Sequence, residues 1–357
     1  MNARDIRIPY SLGKPEKDPA LSGSLIELTK YHMGRCPSYK KILDSLGSDP
    51  DKITDYRDIP PLPAGLFKRL DLVSVVPENT PGPGVKTLTS SGTSGQNASR
   101  IYLDGETRSA QQRALAEIVS DYIGESRLPM LIIDCPGTVK SGSQFSARAA
   151  GILGFSLFAR KRVFALNDDL SLNTAAMDEF MAQYGNEPFL IFGFTFLIWQ
   201  NFYLRLKDLP LRPDMKNAVM IHGGGWKKLQ NLNISKEEFK NALREAFNIS
   251  RIHDYYGMAE QAGSIFMECE CGRLHCSDYS DVLIRRAKDF SICKVGEKGI
   301  VQVFSVLPKS YPGHNILTED EGVLLGIDDC PCGRPGATFG VTGRLEKAVL
   351  RGCSDVY

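Results

Sequence analysis

Between residues 107 and 247, short uninterrupted apolar runs alternate with amphipathic stretches, and this alternation limits the possible folds more than any other feature. Met130-Leu-Ile-Ile133 and Ala218-Val-Met-Ile221 carry no polar residue, as strands buried on both faces do. Helical patterns lie around them. Thr107 to Tyr122 gathers Ala114, Leu115, Ile118, Val119 and Tyr122 on one side. Leu172 to Tyr184 stops at Gly185, which reads as a left-handed cap. Ser235-Lys-Glu-Glu238 is a capping box that opens a helix with Phe239, Leu243 and Phe247 on one face. The order strand, helix, strand, helix predicts an α/β fold built on parallel or mixed sheets. From Met267 onward, short strands and Gly-rich turns such as Gly299-Ile-Val-Gln-Val-Phe304 predict a small β-rich portion.

The punctuation divides the chain further. Residues 1–58 read as an N-terminal helical segment in which Leu25, Leu28 and Tyr31 share a face. Pro60-Pro-Leu-Pro63 is a stiff link, and Thr80-Pro-Gly-Pro-Gly84 leads into a strand-like Val85-Lys-Thr-Leu-Thr89. The expected segments are therefore 1–58, an α/β core over 59–266, a β-rich subdomain over 267–342, and a tail over 343–357. With 43 Lys+Arg against 42 Asp+Glu and no basic stripe, no electrostatic grip on nucleic acid is expected. The charged start of the chain lacks a signal-peptide core. The most apolar run, Phe189 to Trp199, is too short to span a bilayer and reads as a strand, a bend at Gly193 and the start of a helix. No membrane span and a cytoplasmic location are expected.

Three motifs point to nucleotide chemistry. Leu88-Thr-Ser-Ser-Gly-Thr-Ser-Gly95 concentrates hydroxyls and flexible backbone that can crowd around phosphate oxygens. It is not a Walker A loop, because it lacks Gly-Lys-Ser/Thr and precedes a strand-like Ile101-Tyr-Leu103. His222-Gly-Gly-Gly-Trp226 follows a buried strand and permits close approach of a flat ring. Asp254-Tyr-Tyr-Gly-Met-Ala-Glu260 offers an aromatic for a base and a carboxylate for Mg²⁺. Each alone is as well explained by ordinary turns.

In this order and spacing the three motifs resemble the adenylate-forming (acyl-activating) superfamily. Gly296-Glu-Lys-Gly299, Ile316-Leu-Thr-Glu-Asp320 and Gly343-Arg344 with Leu350-Arg-Gly352 fit its later motifs. Within the superfamily the chain resembles the acyl-protein synthetase (LuxE-type, long-chain-fatty-acid–protein ligase) family from about Tyr31 to the end. Ile59-Pro-Pro-Leu-Pro-Ala-Gly-Leu-Phe-Lys68, Phe145-Ser-Ala-Arg-Ala-Ala-Gly-Ile-Leu-Gly-Phe155 and Gly193-Phe-Thr-Phe-Leu-Ile-Trp199 carry that likeness. The resemblance implies that Ser90, Ser91, Gly92, Thr93, Ser94 and Gly95 cradle ATP phosphates. It places Gly223, Gly224 and Gly225 along the base and acyl side, and Asp254, Tyr255, Tyr256, Gly257, Met258 and Ala259 in the nucleotide site, with Tyr256 on the adenine. Glu260 would hold Mg²⁺, Asp320 the ribose hydroxyls with Arg344 nearby, and Phe192 to Trp199 would wall the acyl pocket. Two departures stand out: Arg100 is the only cation near the phosphate loop, and Ala259 replaces a threonine common among relatives.

The same resemblance implies two half-reactions. A carboxylic acid is first coupled to AMP, which converts a poor electrophile into one with a good leaving group. The acyl group then passes to Cys353, beside Arg351 in the tail, and on to an acyl-accepting protein such as a reductase or carrier. Because the sequence ends 13 residues after Arg344, the mobile lid domain of CoA-forming relatives is expected to be absent. The competing expectations are a CoA ligase or aryl-acid adenylating enzyme with a separately supplied lid, and a non-catalytic nucleotide-binding subunit.

Seven of the nine cysteines fall between Cys269 and Cys353, too clustered and too odd in number for a disulfide framework. Cys269-Glu-Cys-Gly-Arg273 and Cys330-Pro-Cys-Gly-Arg334 repeat one knuckle, which predicts a closed structural Zn²⁺ site. Spacing leaves Cys269, Cys271, His275 and Cys276 competing for two places beside Cys330 and Cys332. Similarity to phenylacetate-CoA-ligase-like relatives favours Cys269, His275, Cys330 and Cys332, with Cys271 and Cys276 as alternates. His222 and His253 read as strand-end residues, Cys293 has no assigned role, and His32 and His314 fall in no usable pattern.

Overall fold

A computed structural model describes residues 8–75, 84–89, 98–140, 147–210, 212–224, 229 and 232–345. By contacts the chain forms two compact units: Met1–Glu117 with Gly257–Tyr357, and Ile118–Tyr256.

The first unit opens with helices α1 (Lys14–Arg35) and α2 (Pro37–Ser45). The sequence suggested an apolar stripe through Leu25, Leu28 and Tyr31. Instead α1 buries Lys17, Leu21, Leu25, Thr29 and His32, a stripe in which three of five residues are polar. Leu28 and Tyr31 only flank it. Strand β1 (Leu62–Pro63) follows the proline link, and β2 (Lys86–Thr89) pairs antiparallel with β3 (Arg100–Leu103). Helix α3 (Gly105–Ile123) comes next, and the division between the units falls within it. Ala114, Ile118, Val119 and Tyr122 are buried on one side of α3, as their spacing required.

The second unit is a parallel sheet of β4 (Leu128–Ile133), β5 (Ala159–Phe164), β6 (Phe189–Phe194), β7 (Ala218–Gly223) and β8 (Arg251–Tyr256), in the order β5-β4-β6-β7-β8. Crossover segments join successive strands and include the Ala147–Phe155, Thr174–Tyr184 and Lys236–Phe247 helices. Residues Met130 to Ile133 and Ala218 to Gly223 are buried without exception, which is why they read as continuous apolar runs. One core joins Leu131, Ile191 and Met220 of the sheet to Phe180, Phe239 and Phe247 of the helices. The Lys236–Phe247 helix carries the capping box, with both the Ser235 and Glu238 halves formed.

Two local expectations fail here. Gly185 has φ −61°, so it caps its helix in the right-handed region; the left-handed cap is Asn248, at φ 59°. Gly193 makes no bend but stays in β6, paired with Ile133 and His222. It is glycine because a Cβ there would lie 2.9 Å from Ile133 Cβ and 3.0 Å from Ile198 Cγ1.

The C-terminal part of the first unit is a mostly antiparallel sheet. It contains β9 (Phe266–Glu268), β10 (Leu274–His275), β11 (Ser280–Arg285), β12 (Lys298–Ser305), β13 (Asn315–Ile327) and β14 (Ala337–Arg344). The order is β11-β12-β13-β14-β10-β9, and β1 runs parallel to β13 through Leu62↔Ile316 and Pro63↔Leu317.

Candidate functional site

In the first unit the two cysteine knuckles fold alike. Gly272 and Gly333 adopt φ 75° and 85°, a region that only glycine enters without strain, and their amides bond to Cys269 O and Cys330 O at 2.9 and 3.0 Å. The knuckles lock reciprocally: Arg273 pairs with Asp329 at 2.9 Å, and Arg334 with Glu270 at 3.1 Å. Strand β10, held between β9 and β14, adds His275. The donor atoms of Cys269, His275, Cys330 and Cys332 all lie within 4.8 Å of one another. Cys269 Sγ is 3.7 Å from Cys330 Sγ, and His275 Nε2 is 3.4 Å from Cys332 Sγ. A tetrahedral zinc with arms of about 2.3 Å to sulfur and about 2.0–2.1 Å to nitrogen requires edges of about 3.5–3.8 Å, so this donor set fits the ion. Of the alternates, Cys271 is exposed, while Cys276 is buried outside the four-donor group.

The electrostatics suit a cation. Burial pushes the Cys269 thiol up to about 12. Burial, with the charge of Arg334 adding, brings His275 down to about 4, so its imidazole is neutral at pH 7 and free to ligate. At Cys330 burial acts upward, but hydrogen bonds from the Cys332 amide and neighbouring thiols outweigh it and lower the pKa. Closely packed thiols cannot all ionise unless a cation shares their charge.

Sequence reasoning missed what covers this cluster. The Pro9 carbonyl accepts from the Asp278 amide, while Ser11 N and Oγ donate to Asp278 Oδ2 at 3.0 and 2.7 Å. Tyr10 meets the His275 ring edge-on at 6.1 Å, and Arg334 lies over the Tyr10 ring. Lys17 Nζ donates to Cys276 O at 3.1 Å. No local signal announces these contacts, because the partners lie more than 250 positions apart in sequence.

In the second unit the strand order reverses between β4 and β6, the switch point at which parallel sheets bind ligands beyond their carboxyl ends. A polar chain crosses those ends. Thr195, just after β6, places Oγ1 3.0 Å from His222 Nδ1; His222 Nδ1 is 3.7 Å from Asp254 Oδ1; and Lys236 Nζ is 3.1 Å from Asp254 Oδ2. Gly223 ends β7 under the Tyr255 ring, where a Cβ would lie 2.4 Å from Tyr255 Cε1, and Gly224 turns at φ 61°. Tyr255 packs against Phe155 and Phe192, so strand alternation turns Tyr256 to the opposite face. Phe192, Ile198 and Trp199 are themselves buried, the last two within the main core.

Asp134, which the sequence did not flag, lies just beyond β4 at the switch point. It is fully buried, and its Oδ1 accepts from Cys135 N, Thr138 Oγ1 and Arg148 at 2.6–2.8 Å.

Gly257, Met258, Ala259 and Glu260 continue into the first unit. Glu260 is 7% exposed, and its carboxylate has no hydrogen bond or ion pair among the described residues, a donor suited to a cation. Asp320 and Arg344 face each other across β13 and β14, with Oδ1 and Nε 3.6 Å apart. Arg100 is engaged by Asp71 at 2.9 Å. Ser90, Ser91, Gly92, Thr93, Ser94, Gly95, Gly225 and Cys353 lie outside the described residues.

Residues 5–357 match the family described as acyl-protein synthetase, LuxE. Two curated relatives are each a long-chain-fatty-acid–luciferin-component ligase. The one from Aliivibrio fischeri is 26% identical over 200 residues, 53% of this chain and 50% of that protein. The one from Vibrio harveyi is 22% identical over 335 residues, 91% of this chain and 84% of that protein. The match thus spans half the first relative's length and most of the second's. Among solved structures, an open conformation of 2-hydroxyisobutyryl-CoA ligase bound to 2-HIB-AMP and CoA aligns with a TM-score of 0.72 at 15% identity, covering 96% of this chain and 79% of that one. An ATP-bound RpMatB-BxBclM chimera aligns with a TM-score of 0.50 at 14% identity, covering 72% and 47%. At such identities the likeness is one of fold, that of adenylate-forming ligases. No helix among the described residues is long and apolar enough to cross a membrane.

Proposed function

The chain belongs to the acyl-protein synthetase (LuxE) family, a family of acid–thiol ligases, and from that premise we propose that it activates a long-chain fatty acid with ATP and then passes the acyl group to a protein thiol. The near-complete family match carries this reading. In the first step a carboxylate oxygen attacks the α-phosphorus of ATP, giving acyl-adenylate and pyrophosphate. In the second a thiolate attacks the acyl carbonyl, giving a thioester and AMP.

For the described residues the setting supports a part in this chemistry, and for Ser90 to Gly95 and Cys353 the part rests on the family likeness. Gly223 lets the Tyr255 ring close over the end of β7, and Gly224 turns the chain there beside the base, while Tyr256, on the face opposite the interior aromatic cluster, would stack on adenine. Asp320, oriented by Arg344, would accept hydrogen bonds from the ribose hydroxyls. Glu260 would hold Mg²⁺, which offsets the negative charge where carboxylate and phosphate meet. Ser90 to Gly95 would donate to the phosphates, and Cys353 would be the acyl acceptor before transfer to a partner protein. Zn²⁺ on Cys269, His275, Cys330 and Cys332 would have a structural role, because four protein donors leave no position for substrate.

The test is ATP–pyrophosphate exchange across a panel of acids. Exchange that depends on a fatty acid is expected, and its absence with every acid would overturn the reading. Radiolabelled acid with ATP and Mg²⁺ should then label wild type covalently and leave Cys353→Ser unlabelled. Equal labelling would remove Cys353 from the path, and thioester formation only on adding CoA would make the enzyme a CoA ligase.

A further inference from the structure

We propose that a groove in the first unit binds a free apolar carboxylate, with the chain along the groove and the anionic head on Arg285. The groove encloses about 620 Å³, within the range of small-molecule sites. Its walls are mostly apolar and include Ile42, Leu46, Pro61, Leu66, Phe290 and Leu317. Leu317 lies in the segment that carries Asp320, but none of these side chains has a part in the nucleotide or metal sites described above.

Two features set this groove apart from an accidental crease. Phe290 is 49% exposed at φ 57°, a left-handed conformation that strains a bulky residue. Its amide bonds to Arg286 O at 2.9 Å and its carbonyl accepts from Arg285 at 3.1 Å, so the backbone is held in this state with the ring displayed. Leu46, 60% exposed, adds a second apolar side chain that packing within the chain does not explain.

The second feature is Arg285. Its guanidinium donates to Gln302 Oε1, Phe290 O and Arg57 O, all neutral acceptors, and makes no ion pair among the described residues. Neighbouring Arg57 is neutralised by Asp55 and Asp18. Asp58 also lines the groove and acts on Arg285 from beyond ion-pair distance, but it is exposed and solvent screens it. Burial lowers the Arg285 pKa, the mark of a cation short of a counterion. The remaining guanidinium N–H groups suit a carboxylate, and the apolar walls suit a methylene chain. This site stands on the groove alone and does not require that the chain activate its ligand.

Isothermal titration without ATP tests it, using decanoate, decan-1-ol and decyltrimethylammonium, which share a chain and differ in head. Decanoate should bind most tightly and the cationic head least. Arg285→Gln should weaken decanoate about tenfold while leaving decanol within about twofold. Phe290→Asn relieves the left-handed strain, so it should fold at least as well as wild type yet lose affinity for all three probes. Both variants should keep acid-dependent ATP–pyrophosphate exchange. Unchanged decanoate affinity in both would overturn the proposal, as would binding to phosphatidylglycerol vesicles without binding of free decanoate. Groove binding with no exchange activity would instead overturn the activation reading and leave this one standing.

Discussion

His32 and His314 stack 5.0 Å apart with essentially no solvent exposure. His32 Nε2 faces the Pro308 carbonyl at 3.2 Å, so it carries the proton, and Nδ1 accepts from Ser74 at 2.8 Å. Thr29 donates its hydroxyl to Leu25 O and so accepts from His314 Nε2 at 2.9 Å. His32 is therefore satisfied as a neutral imidazole, and His314, which donates through Nε2 and leaves Nδ1 unpaired among the described residues, has no anion there that would hold a second proton. Burial brings His32 down to about 3, and burial with the neighbouring His32 holds His314 well below its usual value. The unfolded chain takes up these protons near pH 6.5 and the folded chain does not. Stability is therefore complete above about pH 6.5 and falls with pH toward 3, by about 1.4 kcal/mol per pH unit for each histidine. Urea unfolding midpoints between pH 7.5 and 5 check this, and a flat profile would contradict it. The sequence showed nothing at either position, since one buried histidine looks like any other until its partner some 280 residues away is known. Asp134 was silent for a related reason: a lone aspartate after an apolar run does not reveal that it ends a strand at the switch point.

What was legible lies within single elements, because both the signal and its cause are local. The capping box at Ser235 and the repeated knuckle formed as read, while the buried stripe of α1 was misjudged because its polar residues are satisfied from the far end of the chain. The knuckles also predict their own failure. Nothing lies within 4 Å of a Cβ at Gly333, so Gly333→Ala adds only left-handed backbone strain, about 1–2 kcal/mol. That cost falls on the turn that presents Cys330 and Cys332. With Zn²⁺ held on the four donors as proposed, Gly333→Ala should lose it to a chelator faster than wild type, and Gly333→Asn should lie between them. Equal loss rates would show that the turn does not position the ligands. The N-terminal segment should respond as well. Because Pro9, Ser11 and Lys17 are tied to residues 276–278, stripping the proposed Zn²⁺ should raise amide exchange in α1's first turns as well as in the knuckles. The β4 to β8 sheet should keep its protection. Exchange that rises in the knuckles alone would refute the coupling.

At the scale of the whole molecule, the first unit is assembled from two stretches of sequence, with the second unit inserted between them along the chain, and no local pattern could announce that. β1 joins β13 across about 250 residues, and a buried carboxylate in β11 adds a further tie between the two stretches. Asp281 of β11 is fully buried, with Lys14 and the Tyr56 hydroxyl on its Oδ2. Burial opposes its ionisation, but the charges of Lys14 and Lys17 outweigh burial and lower its pKa. A group of this kind is fixed by its surroundings more than it repays in net energy, because desolvation cancels much of the attraction. Removing the anion is different, since it leaves buried positive charge less compensated. Asp281→Asn keeps the shape and a hydrogen-bond acceptor and leaves Lys14 only Asp18, while buried Lys17 loses its nearby anion, so a loss of about 2–4 kcal/mol is expected. Breaking the exposed Lys40–Asp44 pair should cost less than about 0.5 kcal/mol. Urea unfolding of the two variants side by side checks the contrast. Replacing Lys14, Lys17 and Asp281 together by methionine, methionine and leucine should recover much of the loss. If Asp281→Asn proves no worse than the surface variant, the ends of the chain are held by the β1–β13 pairing and apolar packing instead.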